Sequence, residues 1–363
     1  MAGLTCGFIG LGLIGGSIAK ALKAYDASIK IIAYDINEQS LALAKTEGIA
    51  DMTLSNIDAS FSACDYIFLC APVSHNDENL SKLKELISPD CILTDVGSVK
   101  STTHRHVAEM ALNGQFIGGH PMAGSERIGY QNSKASLLQN AYYILTPTAE
   151  VPLEKLDDYR SLVQKMGAIP LVLSYEQHDF VTAGISHLPH VIASSLVNLV
   201  RDTDSEDGIM KMIAAGGFKD ITRIASSSPV MWQQICLTNG ENISRLLQDY
   251  IDALIQAKAA LDTKDADTLY DFFNSARTYR ESFVNASSGP IKRAFDMTVD
   301  IADKPGALAN VVNLLAAKNL SIKNIGITHN RESAEGSMHI EFYDELSVNT
   351  AKELLTVVGY NCK

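Results

Sequence analysis

The chain has 363 residues, with 30 Lys plus Arg against 42 Asp plus Glu, for a formal net charge of −12 at pH 7. The acid excess excludes the broad basic face of a nucleic-acid binder, while leaving room for a pocket that is locally basic toward an anion. Hydrophobic residues make up 46% and charged residues 20%, a globular balance, and the length suggests two to three domains of roughly 150 residues each. Cys6, Cys64, Cys70, Cys91, Cys236 and Cys362 form no CxxC pair and several sit in apolar runs, where a thiol is a small core residue. No apolar run nears the roughly 20 residues of a membrane span, and the first residues lack the pattern of a signal peptide. The expectation is a cytoplasmic protein with neither membrane nor nucleic acid as partner.

The spacing predicts strands at Thr5–Ile9, Lys30–Tyr34, Tyr66–Ala71, Cys91–Val96, Gln115–Gly119, Tyr142–Thr146 and Ile169–Leu173. Helical patterns lie between most of them. One starts at Leu13 with Ile14, Ile18 and Leu22 on a stripe, and another runs from Leu153 to Met166 before Gly167, a natural helix stop. Strands alternating with helices argue for a parallel α/β sheet. From Glu176 to Asn285 the pattern holds no convincing strand. Its clearest helix, Asn242–Leu261, carries the stripe Ile243, Leu246, Leu247, Tyr250, Ile251, Leu254 and Ile255, so an all-α domain is expected whose apolar faces can pair two subunits. After the small-residue linker Ala286–Pro290, the remaining stretch reads βαββαβ, a ferredoxin-like small domain. The expected divisions are 1–174, 175–288 and 291–363.

The first strand runs into Gly10-Leu11-Gly12-Leu13-Ile14-Gly15 and then a helix, the setting in which G-x-G-x-x-G marks a dinucleotide site. Gly10 permits the tight turn, Gly12 the approach of a pyrophosphate, and Gly15 close packing of helix on strand. The N–H groups at the helix start then face the phosphates. The second strand ends at Asp35, placed to accept from the ribose hydroxyls and to repel a 2′-phosphate; Ile36 and Asn37 follow, with no arginine nearby. This is a Rossmann-type, doubly wound domain that binds NAD rather than NADP. Ala71 and Pro72, at the end of the third predicted strand, are expected to line the same site.

Ser98, in Asp95–Lys100, follows a strand and faces the ligand edge of such a sheet. Gly118-Gly119-His120-Pro121 is another strand end, leading to Ser125. A hydride transfer that leaves a carbonyl needs a base for the hydroxyl proton, and histidine suits neutral pH. In Ser186-His187-Leu188-Pro189-His190, Ser186 and His190 share a helix face and His187 nearly does; no third ligand of obvious type stands near, so no metal is expected. Arg223 can fork onto a carboxylate, and Trp232, the only tryptophan, reads as wall or core.

Together these motifs resemble the prephenate dehydrogenase family over residues 1 to about 285, and the C-terminal stretch resembles an ACT domain. The resemblance implies that NAD takes hydride from the ring carbon of prephenate that bears the hydroxyl. The ring carboxylate leaves as CO2, and 4-hydroxyphenylpyruvate forms for tyrosine biosynthesis. It implies His120 as base, Ser98 as the serine orienting it, and Arg223 as a carboxylate clamp. Ser186, His187, His190, Ser125 and Trp232 would serve the substrate. It implies an aromatic amino acid, tyrosine first, as effector at Asp303, Pro305, Gly306, Ala307 and Leu308, with Asn324 and Ile325 of the following strand, and a homodimer joined through the helical domain. An arogenate dehydrogenase is the rival enzyme, and a non-catalytic sensor of NAD and an amino acid is the rival of another class.

Overall fold

The computed structural model describes residues 3–71, 76–124, 127–285, 295–302, 304–329 and 335–362. The expected contacts Pro72, Ser125 and Asp303 lie outside these residues. The chain parts into two compact units, Met1–Lys264 and Asp265–Lys363.

The first unit opens with β1 (Thr5–Ile9), α1 (Leu13–Tyr25), β2 (Lys30–Tyr34), α2 (Glu38–Thr46), β3 (Met52–Leu54), β4 (Tyr66–Leu69), α3 (Asn76–Lys84), β5 (Ile92–Asp95) and α4 (Ser101–Glu109). Five strands form a parallel sheet in the order β3-β2-β1-β4-β5, the doubly wound arrangement with strand order running outward from β1. Its central strands are buried throughout, because helices cover both faces. One core gathers Phe8, Ile18, Leu22, Ile31 and Phe68, and the other Ile9, Ile67, Leu69, Leu80 and Leu93. Of the five strands, β3 was not expected from the sequence: it has three residues, all at least partly exposed, on the sheet edge.

Next come β6 (Ile117–Pro121), β7 (Tyr142–Pro147), α5 (Leu153–Lys165) and β8 (Ile169–Val172). These strands form a second sheet, in which β6 is antiparallel to β7 and β7 parallel to β8. A parallel bridge from Leu93 to Phe116 sets the chain entering β6 beside β5. The carboxyl ends of β1, β4, β5 and β6 therefore share one edge.

The rest of the first unit is helical: α6 (Tyr175–Thr182), α7 (Leu188–Thr203), α8 (Ile209–Ile213), α9 (Gly216–Thr222), α10 (Pro229–Thr238) and α11 (Gly240–Thr263). Pro189 has no N–H for the carbonyl of Ile185. The helix absorbs this by widening to a π turn over Ala183–His187, in which the Leu188 N–H reaches back to the Ala183 carbonyl. So Tyr175–Thr203 is one continuous helix, with a mean hydropathy of 1.3 over its most apolar stretch. By length and composition it passes the test for a membrane span that the sequence run did not, although His178, Asp179 and His187 within it are buried. The stripe on α11 is only partly covered in the single chain: Ile243 is buried, whereas Ile251, Leu254 and Ile255 are exposed.

The second unit contains α12 (Ala266–Asn285), β9 (Phe295–Ala302), α13 (Ala307–Ala317), β10 (Ile322–His329), β11 (Glu335–Phe342) and α14 (Glu345–Val357). Its three strands pair antiparallel in the order β10-β11-β9, and a bridge from Val299 to Cys362 continues the sheet past β9. Met297, Val299 and Ile340 meet Val311, Leu315, Val348 and Leu355 of α13 and α14 in one core.

Candidate active site

The glycine-rich turn has the cradle that a pyrophosphate requires. Gly10 adopts φ +95° and lies so close to β4 that a Cβ there would stand 2.7 Å from the Ala71 nitrogen. A Cβ on Gly15 would stand 2.6 Å from the Gly10 carbonyl oxygen. Gly12, by contrast, faces open space: no atom lies within 4 Å of the place its Cβ would occupy. It caps the N-terminus of α1, where Leu13 and Ile14 form the first turn, and the N–H groups there are free of intrahelical partners. Asp35 sits at the end of β2, half-buried, accepting from the backbone N–H of Leu11 and, at 2.7 Å, of Asn37. Each carboxylate oxygen keeps a lone pair for a ribose hydroxyl. These residues fit NAD.

Along the same edge, a cavity of about 260 Å3 is lined by Ser98 after β5, His120 to Gly124 at the end of β6, Ser186 and His187 in the π turn, and Met231, Trp232 and Ile235 of α10. Two of the expected residue sets, from the sheet and from the helices, thus share one cavity within the first unit.

The geometry assigns His120 its proton. Asp179, at the start of the long helix, is 1% exposed. Its Oδ1 accepts from Lys100 N at 2.8 Å, and its Oδ2 from Ser101 N at 2.9 Å and from the Ser101 hydroxyl. Burial alone would raise its pKa, but the bonds from His178, Ser101 and Lys100 hold the carboxyl below the ordinary carboxylate range. An ionised Asp179 has no proton to give, so His178 Nδ1, at 2.8 Å, donates to it. Burial lowers the His178 pKa and keeps the ring neutral, so its Nε2 is an acceptor and the ring nitrogen 2.7 Å away, His120 Nδ1, must be the donor. His120 is left with a bare Nε2, the form a general base needs. Burial pushes its pKa well below the ordinary 6.5, and the neighbouring His178 and Lys100 push the same way.

Lys100 fixes the strand that carries His120. Its ammonium is fully buried, paired with Asp95 and donating to the Gly119 carbonyl at 2.7 Å. Asp95 in turn accepts from Gly119 N at 3.2 Å and Gly97 N at 3.0 Å. The two glycines are demanded by packing: a Cβ on Gly119 would stand 2.7 Å from the Asp95 carbonyl oxygen, and one on Gly118 2.3 Å from the Thr146 hydroxyl. Burial lowers the Lys100 pKa, with Asp95 pulling it back.

The helical candidates divide. Ser186 and His187 line the cavity. His190 stacks on Trp232 with ring centroids 3.6 Å apart and holds the Ser186 carbonyl through Nδ1 at 2.9 Å. Arg223 is the residue expected as a carboxylate clamp. It begins a 3-10 turn over Arg223–Ser226, is exposed, and is not among the lining residues. Its charge reaches His190, whose pKa is lowered first by burial and then by that guanidinium. Ser98 lines the cavity together with His120, whose Nδ1 is held by His178. His178 and Asp179 were missed in the sequence, where Gln177-His178-Asp179 offers one signal, a carboxylate directly beside an imidazole. In the second unit, Gly306 takes φ +88° at the start of α13 after exposed Pro305, Ala307 is buried, and Leu308, Asn324 and Ile325 are exposed. Among the described residues, no cluster of His, Cys, Asp and Glu can hold a metal ion.

The chain is similar to known proteins over most of its length. Residues 18–171 match the family described as "Prephenate dehydrogenase, nucleotide-binding domain", and residues 174–275 match "Prephenate dehydrogenase, dimerization domain". The chain is 35% identical to the prephenate dehydrogenase of Bacillus subtilis over 341 residues, 93% of this chain and 91% of that one. Its similarity to the cyclohexadienyl dehydrogenase of Zymomonas mobilis is 33% over 274 residues, 75% of this chain and 93% of that one. A crystal structure of prephenate dehydrogenase from A. aeolicus, in complex with hydroxyphenyl propionate and NAD+, superposes with a TM-score of 0.73 at 32% identity, covering 78% of this chain and 99% of that one.

Burial of neutral histidines makes stability depend on pH. His104 and His187 are held at about 4 against an ordinary 6.5, burial being the first cause in both. Below 6.5 the unfolded chain therefore binds protons that the folded chain refuses. Stability falls as the pH drops from 6.5 toward 4 and is independent of these groups above 6.5. The urea midpoint is expected to be lower at about pH 5 than at about pH 7.5; equal midpoints would contradict the assignment.

Proposed function

The chain belongs to the prephenate dehydrogenase family, and from that premise we propose how its own residues carry the reaction. It is an NAD-dependent oxidoreductase of prephenate. NAD, when bound, accepts the hydride from the ring carbon bearing the hydroxyl, and loss of the ring carboxylate as CO2 restores aromaticity and gives 4-hydroxyphenylpyruvate.

Gly12 and the first turn of α1 hold the pyrophosphate, and Asp35 holds the ribose. His120 Nε2 takes the proton of the ring hydroxyl as a carbonyl begins to form. The resulting positive charge is shared along Nδ1–H to His178 and compensated by the buried Asp179 carboxylate. Ser98 and Ser186 supply hydroxyls to the same cavity, and Trp232, Met231 and Ile235 exclude water from it. The step is downhill, so what remains is alignment, worth up to roughly 7–11 kcal/mol of barrier, and one base. Arg223, whose charge reaches His190, offers its guanidinium to a carboxylate of the substrate. The single observation that carries this mechanism is the chain His120–His178–Asp179 ending at a cavity.

We further propose a homodimer formed through the helical part, since Ile251, Leu254, Ile255 and Leu261 of α11 stay exposed in one chain, and a row of exposed apolar residues on one helix suits a protein–protein contact. The βαββα order of the second unit and its closing bridge support a ferredoxin-like ACT domain. An aromatic amino acid would bind there at the Gly306 turn, its carboxylate on the α13 N-terminus. Six free thiols are in keeping with a cytoplasmic location.

Four outcomes are expected. His120→Asn lowers kcat about 10²–10⁴-fold while NAD affinity holds, and Arg223→Ala raises KM for prephenate with a smaller change in kcat. The pattern reversed would overturn these roles, and arogenate preferred over prephenate in kcat/KM would overturn the substrate. Sedimentation at micromolar concentration gives a dimer, and a monomer would refute the interface. Tyrosine added to the NADH assay lowers the rate; a rate unmoved by tyrosine, phenylalanine and tryptophan would remove the effector site.

A further inference from the structure

We propose that Asn239 is a positioning residue that holds His187 as its Nε2–H tautomer, making His187 a neutral hydrogen-bond donor to a carboxylate oxygen of the substrate. Asn239 is 4% exposed, at the junction between α10 and α11. Its carboxamide is fixed from three sides. Nδ2 donates to the Asp179 backbone carbonyl at 2.7 Å and lies 3.1 Å from His187 Nδ1, and Oδ1 accepts from Asn242 Nδ2 at 2.8 Å.

The orientation of that amide is forced. A backbone carbonyl can only accept, so the atom facing Asp179 is the NH2. The same NH2 faces His187 Nδ1, which must then accept, and a neutral ring with a bare Nδ1 carries its proton on Nε2. Burial keeps the ring neutral at physiological pH, with its pKa at about 4. His187 is 1% exposed, lines the cavity, and packs edge-on against Trp232.

Asp179 therefore governs both imidazoles of the cavity by different atoms. Its carboxylate acts through His178 to leave His120 Nε2 bare, and its backbone carbonyl acts through Asn239 to leave His187 Nε2 protonated. One cavity thereby presents a proton acceptor and a hydrogen-bond donor. The acceptor suits a hydroxyl that loses its proton, and the donor suits an oxygen that stays anionic. The substrate half of the inference rests on the dehydrogenase reading above; the tautomer half does not.

The test begins with full-length native protein labelled with 15N-histidine, whose ring-nitrogen shifts report the tautomer directly; His187→Gln identifies the signal. The expected spectrum at neutral pH shows His187 protonated at Nε2 alone. In Asn239→Ala the signal moves toward a mixture of both tautomers. Hydroxyphenylpropionate, titrated calorimetrically as a non-reacting carboxylate probe, binds this variant about tenfold or more weakly, the worth of one hydrogen bond to a charged group, and NAD affinity is unchanged. KM for prephenate rises by a similar factor while kcat stays within about twofold, and His187→Gln, which keeps an N–H donor, retains more probe affinity than His187→Ala. Native His187 protonated at Nδ1, or a folded Asn239→Ala with the native tautomer and native probe affinity, would overturn the proposal. The stated tautomer in a native protein that binds no probe and turns over no prephenate would instead overturn the dehydrogenase reading and, with it, the substrate half.

Discussion

A buried carboxylate must be compensated, and the way Asp179 is compensated organises the cavity. Removing an ion from water costs several kcal/mol unless partners replace the lost hydration. Asp179 finds them in two backbone N–H groups at the start of α4, the Ser101 hydroxyl and the His178 ring. These donors come from the end of the parallel sheet and from the helix that follows the second sheet, so the electrostatic requirement of one side chain ties the two parts of the first unit together. The protons then have no freedom: a carboxylate that accepts at both oxygens dictates which nitrogen of His178, and through it of His120, is bare.

The second constraint is the buried pair of Lys100 and Asp95. Both groups are fully buried, and each spends its remaining valence on the backbone of Gly119. Such pairs add little net stability compared with an apolar replacement, but breaking one by deleting a partner is expensive. What this one gives is position: the peptide before His120 is held from both sides, and the absence of a Cβ at Gly118 and Gly119 lets β6 approach β5 and Thr146 closely enough for that grip.

Much of the scaffold was legible because it repeats. The strands β1, β2 and β4–β8 and the G-x-G-x-x-G turn declare themselves through apolar runs and glycine spacing, as do the α11 stripe and the βαββα order of the second unit. The edge strand β3 escaped because three half-exposed residues carry no period. His178 and Asn239 escaped for another reason. Each works by touching a residue far along the chain, 58 positions away for His178 and His120, and 52 for Asn239 and His187, and sequence spacing is silent on such contacts. Arg223 was legible by residue type alone, as a guanidinium that suits a carboxylate, and in the fold its charge reaches His190 from a short 3-10 turn. Pro189 denies the helix one backbone bond, and the π turn absorbs the loss as a widening that keeps Ser186 and His187 on the cavity wall.

The most direct test is to see the protons. Neutron diffraction from deuterium-exchanged crystals at neutral pH should show deuterium on His120 Nδ1 and none on its Nε2, with His178 carrying deuterium on Nδ1, toward Asp179. Deuterium on His120 Nε2 with a bare Nδ1, or on an Asp179 oxygen, would mean that the buried carboxylate does not set the base, and the account built on it would not stand.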